Sequence, residues 1–271
     1  MKGARESAND PPLLSVRNVN ASIGGVPLLH DLTLTVREGD LVFLLGPNGA
    51  GKSSVLRLLL GRIIPETGSV ELGGQAIARL SGRERAAGLA YLPQRSTIVE
   101  SMYVLDLVVA ARYRFAEPQR ASLAAARIAL ADAGAAALEN RIWTTLSGGE
   151  QQRVSLAVLL AQDAKILLFD EPASHLDPAQ QIEIYRQIGR LNKGGRSIVC
   201  VTHDINLIGR AAAESGRVPK VLGLRDGREQ FSCESVSPQL PTHLSDLFTL
   251  EVRRLPDLDP ATFIFEPRAG G

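Results

Sequence analysis

The sequence predicts an α/β fold in which a core of buried parallel strands carries an antiparallel β subdomain and an inserted α-helical subdomain. Three observations point there. Continuous apolar runs of strand length at 41–45, 165–170 and 197–202 are spaced by helical segments, as expected of strands buried on both faces of a parallel sheet. Shorter alternating segments between 14 and 36, among them Leu28-Leu29 and Leu32-Thr33-Leu34-Thr35-Val36, read as antiparallel strands. Between 97 and 145 the pattern becomes helical and rich in alanine, the strongest helix former.

Residues 1–12 are polar and expected to be disordered, with one folded domain over 13–250 and a tail over 251–271. The run 41–45 enters the glycine-rich segment Gly46-Pro47-Asn48-Gly49-Ala50-Gly51-Lys52-Ser53-Ser54, and 54–60 leaves it as a helix. Ser69-Val70-Glu71-Leu72 adds a strand that turns at Gly73-Gly74. Within the helical insert, 106–115 and 118–133 are the clearest elements, and Leu123, Ile128, Leu130 and Leu138 supply an apolar face. A helix over 150–161 leads to the strand 165–170, which ends in acid. Asp177-Pro178 opens the next helix, to about 191, with Asp as N-cap and Pro in the first turn. The strand 197–202 follows, and short strands with a compact tail are expected from about 221.

The glycine-rich segment is a complete phosphate-binding loop. Its glycines let backbone N–H groups converge on a polyphosphate, Lys52 can reach the β- and γ-phosphates, and the Ser53 hydroxyl can ligate Mg²⁺. The following helix sets its positive end beneath the phosphates. A glycine-rich turn that binds nothing is the bland alternative, and the strand–loop–helix context argues against it. The chain is expected to bind a nucleoside triphosphate.

A second glycine pair, in Leu146-Ser147-Gly148-Gly149-Glu150-Gln151-Gln152-Arg153, opens a helix but has no lysine. It makes sense as a second anion site if two chains face each other, each presenting Ser147-Gly148-Gly149 to the other's γ-phosphate. The alternative is an ordinary Ser N-cap with flexible glycines. Asp170-Glu171 closes an apolar strand: Asp170 is expected to hold Mg²⁺ through water, and Glu171 to polarise or deprotonate the attacking water, rather than both forming a solvated acidic loop. His203 follows the next strand and suits a γ-phosphate sensor, against the plainer role of a packing or capping histidine. Gln94 sits where the core hands over to the helical insert. There it could touch Mg²⁺ or the attacking water and report nucleotide state to the insert, or be a loop glutamine only.

Bulk properties exclude several classes. A formal net charge of +1 and an aromatic content of 4% give no pointer to nucleic acid. Cys200 and Cys233 lack metal or redox spacing, and Cys200 reads as a small core residue. No apolar stretch approaches the roughly 20 residues that cross a bilayer, and 1–12 lacks the apolar region of a secretory signal. A cytoplasmic protein is expected, with any membrane role borrowed from a partner chain.

Together these motifs resemble the ATP-binding cassette (ABC) ATPases, a branch of the P-loop NTPases. Residues 46–54 are similar to the Walker A loop, Gln94 to the Q-loop, 146–150 to the family signature, 166–171 to Walker B, Ser174-His175-Leu176-Asp177 to the D-loop and His203 to the switch histidine. The order and spacing agree from about 13 to 250. The resemblance implies ATP and Mg²⁺ as cofactors and a head-to-tail homodimer that sandwiches two ATPs and opens after hydrolysis. Within it Ser147, Gly148, Gly149 and Glu150 would act in trans beside the D-loop Asp177. Ile23 stands near the position where the family places an aromatic residue on adenine, an aliphatic departure that puts base selectivity in question. Ala173 replaces the common Thr or Ser, and 209–219 is slightly longer than usual.

A finer resemblance lies in Leu80-Ser81-Gly82-Arg83-Glu84-Arg85 before Ala90-Tyr91-Leu92-Pro93-Gln94, and in the tail Phe248-Thr249-Leu250-Glu251-Val252. Both are similar to ATPases of iron-siderophore, haem and cobalamin importers. That resemblance implies a peripheral subunit on the cytoplasmic face of the inner membrane. It would be bound to integral membrane permeases, with cargo chosen by a periplasmic binding protein. An exporter subunit is the competing reading within the family. A soluble ATPase of DNA repair or translation is disfavoured by the lack of a long coiled coil or tandem cassette, and a non-hydrolysing regulator by the intact Glu171 and His203.

Overall fold

Two long strands open the fold, β1 (Leu14–Ile23) and β2 (Val26–Val36), paired antiparallel across the Gly24-Gly25 turn. The sequence suggests shorter segments here because irregularities reset the alternation: the β1–β2 register shifts between Val16 and Val19 and again before Ala21. Asn18 and Asp31 hold φ of 46° and 50°, a bulge-like kink that turns one long strand into several short alternating runs. The computed structural model describes residues 11–94, 101–174, 176–255 and 260–268. Most of the expected disordered stretch 1–12, the start of the helical insert at 97 and His175 lie outside the described residues.

β3 (Leu41–Leu45) leads through the phosphate loop into α1 (Lys52–Leu59). There follow β4 (Thr67–Leu72), β5 (Gln75–Ala76), α2 (Gly82–Gly88) and β6 (Leu89–Leu92). α2 carries a capping box between Ser81 and Glu84. The insert contributes α3 (Val104–Ala110), α4 (Gln119–Asp132) and α5 (Gly148–Ala161), and the core resumes with β7 (Ile166–Asp170), α6 (Pro178–Lys193), β8 (Ser197–Val201) and α7 (Ile205–Ser215). Asp177 caps α6 as expected, its carboxylate accepting from the Gln180 N–H at 2.9 Å. β9 (Lys220–Arg225), β10 (Arg228–Glu234), α8 (Leu240–Phe248), β11 (Glu251–Arg254) and β12 (Phe263–Glu266) complete the chain. α8 is missed by the sequence reading, which expects only strands and a tail there.

Among the described residues ten strands form one curled sheet in the order β5-β4-β1-β2-β10-β9-β3-β8-β7-β6. β9, β3, β8, β7 and β6 run parallel, and the antiparallel part joins them where β10 pairs with β2 at Arg228 and His30. Side-chain alternation sorts the core strands into two apolar layers. Phe43, Leu167, Phe169, Ile198 and Cys200 face α5, α6 and α7, whereas Leu44, Ile166, Leu168, Val199 and Val201 face α1 and the antiparallel strands. The first layer continues without a break into the helical insert through Leu130, Trp143 and Val154, so the insert shares the core rather than building its own. Within α4 the buried face is Ala126, Ala129 and Leu130; Ile128, expected on it, is 62% exposed because its position falls on the opposite side of the helix. α3 ends at Ala110 rather than 115, and Arg112 in the connection binds both Glu117 oxygens and the Ala161 carbonyl at the end of α5.

Candidate functional site

The phosphate loop joins β3 to α1 with a geometry that only its glycines allow. A Cβ on Gly46 would lie 2.1 Å from the Leu224 carbonyl oxygen of β9, and Gly51 holds φ of 96° as it caps α1. Behind the loop, Val55, Leu56, Leu58 and Leu59 anchor α1 in the core. Lys52 is buried, and its Nζ donates to the Gly46 and Pro47 carbonyls at 2.8 and 3.0 Å. Burial pulls the Lys52 pKa down, opposed by the neighbouring carboxylates Glu171 and Asp170.

An open cavity of about 590 Å³ lies over this loop. Asn48, Gly49, Ala50, Gly51, Lys52, Ser53 and Ser54 line it together with Gln94 and Glu171, so the structure brings these sequence-predicted residues into one place. Sequence reasoning missed Pro27, Leu28 and His30 of β2 and the Asp226-Gly227 turn between β9 and β10, which also line it. The Asp-Gly pair is legible as a hairpin turn. Its place beside the loop follows from topology: Gly227 N–H donates to the Ala50 carbonyl and Gly227 carbonyl accepts from His30 N–H. Ile23 stands at the β1–β2 tip, 51% exposed, and is not among the lining residues.

β7 and β8 deliver the polar groups to the other side of the loop. Asp170, at the buried end of β7, has both oxygens engaged: Ser53 Oγ donates to Oδ1 and Tyr91 Oη to Oδ2, each at 3.1 Å. In the sequence Tyr91 stands out only as a neighbour of Gln94; in the fold its hydroxyl touches the acid, and burial beside Asp170 pushes its pKa up to about 12. Burial raises the Asp170 pKa, offset in part by those two hydrogen bonds. A hydroxyl and one carboxylate are hard oxygen donors. They fit Mg²⁺, which keeps waters and takes its remaining ligands from phosphate; among the described residues no cluster of three or more His, Cys, Asp or Glu suggests another metal.

Glu171 follows with φ of 46°, a left-handed conformation uncommon for this residue type and frequent at functional sites. Its N–H is held by the Val201 carbonyl at 3.1 Å. Gln94 Nε2 donates to Glu171 Oε2 at 3.0 Å, and His203 Nδ1 stands 3.6 Å from the same oxygen. Gln94, Glu171 and His203, which are far apart in sequence, therefore converge on one oxygen.

Ser147, Gly148, Gly149 and Glu150 do not line this cavity. Within the chain Ser147 is the N-cap of α5: its Oγ accepts from Glu150 N–H at 3.4 Å, and Glu150 Oε2 accepts from Ser147 N–H at 2.8 Å. Ser147 therefore does cap the helix; Gly148 is exposed, and Gly149 is half-buried against the Gln180 side chain. α5 is tied to the Glu171 loop, since Gln152 Nε2 donates to the Pro172 carbonyl at 2.6 Å.

The ABC transporter family model matches residues 29–174. The chain is 40% identical over 207 residues to a hemin import ATP-binding protein of Bordetella pertussis, covering 73% of this chain and 79% of that one. It is 36% identical over 245 residues to the hemin import ATP-binding protein of Pseudomonas putida, covering 89% and 94%. Among solved structures, an inward-facing metal-chelate type ABC transporter superposes with a TM-score of 0.79 at 26% identity, over 96% of this chain and 99% of that one. A dimeric bacterial ABC transporter cassette gives a TM-score of 0.72 at 24% identity, over 83% and 99%. Motifs, fold and relatives agree: the chain belongs to the ABC transporter family as an ATP-binding subunit.

Proposed function

We propose that this subunit hydrolyses ATP to power a hemin importer, and that the site above is one half of a composite catalytic centre. The observation that carries hydrolysis is the convergence of Gln94 and His203 on Glu171: Gln94 and Glu171 line the cavity over the phosphate loop, and His203 approaches Glu171 from the adjoining pocket. A triphosphate in the loop exchanges the two carbonyls now held by Lys52 for phosphate oxygens, keeping the buried ammonium paired. Glu171 accepts the proton of the attacking water, oriented by the Gln94 amide, and His203 contacts the γ-phosphate. Ser53, Asp170 and Gln94 would hold Mg²⁺, which when bound neutralises charge on the phosphates. Ile23, at the hairpin tip, is assigned to the base and contributes aliphatic contact without stacking.

The signature residues support a second copy of the chain as the missing half. Ser147, Gly148, Gly149 and Glu150 lie off the chain's own cavity at a helix N-terminus, which suits the γ-phosphate of a facing chain, with Asp177 beside the interface. Integral permease subunits supply the membrane path, since no helix among the described residues is long and apolar enough to cross a bilayer. The assembly then places this chain on the cytoplasmic face of the inner membrane, with a periplasmic binding protein delivering cargo. Hemin as cargo rests on the relatives' names. The test is co-expression with candidate permease subunits and reconstitution into vesicles with ATP on the side of this subunit. ATP-dependent accumulation of hemin, but not of cobalamin or a ferric siderophore, is expected; accumulation of either competitor instead would reassign the cargo.

A further inference from the structure

His203 has a side chain that is 61% exposed, so packing contributes little to where its ring stands relative to Glu171. Its position is set by the backbone of 202–206, and that backbone is fastened at two points. On the core side, Thr202 Oγ1 accepts from Tyr185 Oη at 2.6 Å and from Asp204 N–H at 3.2 Å, and Tyr185 is buried against Phe43. On the other side, Asp204 caps α7 by accepting from Asn206 N–H at 2.8 Å. The Asn206 side chain then closes a two-bond ring with the chain's tail. Its Nδ2 donates to the Phe263 carbonyl at 3.2 Å, and its Oδ1 accepts from Phe263 N–H at 2.7 Å. One turn along α7, a Cβ on Gly209 would sit 2.7 Å from Pro260 Cβ, so helix and tail are in close contact there too. Phe263 is buried in the same apolar layer as Phe43 and Ile205.

We propose that Asn206 is a positioning residue for hydrolysis: by clasping Phe263 it makes the β11–β12 hairpin a brace that holds the His203 loop in register with Glu171. The tail thereby becomes part of the catalytic apparatus rather than a terminal ornament. The inference rests on the reading of His203 as the group that contacts the γ-phosphate.

Asn206→Ala and Asn206→Asp, each made in the parent and in a His203→Ala background, test it by steady-state ATPase rate, ATP titration and thermal melting. Asn206→Ala in the parent should lower kcat about tenfold while ATP affinity stays within about twofold, since a displaced catalytic group costs turnover rather than ground-state binding. Asn206→Asp, which keeps the acceptor for Phe263 N–H and loses the donor, should recover part of that loss. In the His203→Ala background either change should move kcat by less than about twofold, because the two residues act through one position. Parental kcat in both Asn206 variants, or an equal loss in both backgrounds, would overturn the proposal in favour of a purely structural clasp. Parental kcat in His203→Ala itself would instead remove the reading of His203, and the brace with it. Should Asn206→Ala fail to fold, the Asn206→Asp pair of measurements decides alone.

Discussion

Glu171→Gln isolates the base from everything else in the site. The amide has the shape of the carboxylate, and its oxygen can still accept the Gln94 Nε2 hydrogen bond now made at 3.0 Å. The backbone strain at φ of 46° and the N–H bond to Val201 are untouched. What is lost is proton acceptance at that oxygen, and neither of the two nearby acids among the described residues takes it over. Asp170 already spends both oxygens on Ser53 and Tyr91, while Asp226, the other acid lining the cavity, has a side chain 91% exposed. General-base removal typically costs 10²–10⁴-fold, about 3–5 kcal/mol of barrier, and without a substitute base the upper half of that range applies. Steady-state phosphate release should therefore fall by roughly 10³-fold or more, while ATP affinity stays within about threefold because the phosphate loop is unchanged. With hydrolysis blocked, ATP should hold the protein as a dimer on size-exclusion chromatography, and ADP should not. A variant that turns over within about tenfold of the parent would refute the assignment of Glu171 as base. A variant that is inactive yet remains a monomer with ATP would spare the base and refute the two-chain site.

The parallel core and the phosphate loop were legible because their signals are local: apolar runs bounded by glycine or acid, and one motif whose spacing is dictated by the ligand. Asp177 as a cap and Ser147 at a helix start were legible for the same reason, since caps act within four residues. The length of β1 and β2 was hidden by Asn18 and Asp31, which break the alternation without ending the strands. Ile128 misled because alanine-rich α4 completes its buried face with small residues: Ala126 and Ala129 flank Leu130 there, while Ile128 falls on the opposite side. In the site, Gln94, Glu171 and His203 could be named from sequence, but their sharing of one carboxylate oxygen is a product of the β6-β7-β8 order. Tyr91, His30 and Gly227 reach the site only through strand pairing, which no local pattern announces.

Lys52→Ala should weaken ATP binding by two orders of magnitude or more in a fluorescence titration, as removing a buried charge that faces phosphate costs about 3 kcal/mol or more; affinity within tenfold of the parent would contradict its placement on the phosphates. Ile23→Tyr should raise the preference for ATP over GTP by adding a stacking surface worth about 1 kcal/mol at the hairpin tip, and an unchanged ratio would move the base away from that tip. Asp170→Asn sets function against stability. Burial raises the Asp170 pKa, with Glu171 pushing the same way and Ser53, Tyr91 and Arg57 opposing. The ionised folded protein is therefore penalised: stability is fully present below the unfolded pKa, near the model-compound value of 3.8, and declines as pH rises through the raised folded one. Asparagine removes that penalty, so the nucleotide-free variant should melt higher than the parent at pH 7 and at the same temperature near pH 3. It should also lose the Mg²⁺ dependence of nucleotide binding. An equal melting difference at both pH values would show that the burial of the Asp170 charge is not what the parent protein tolerates for the sake of its site.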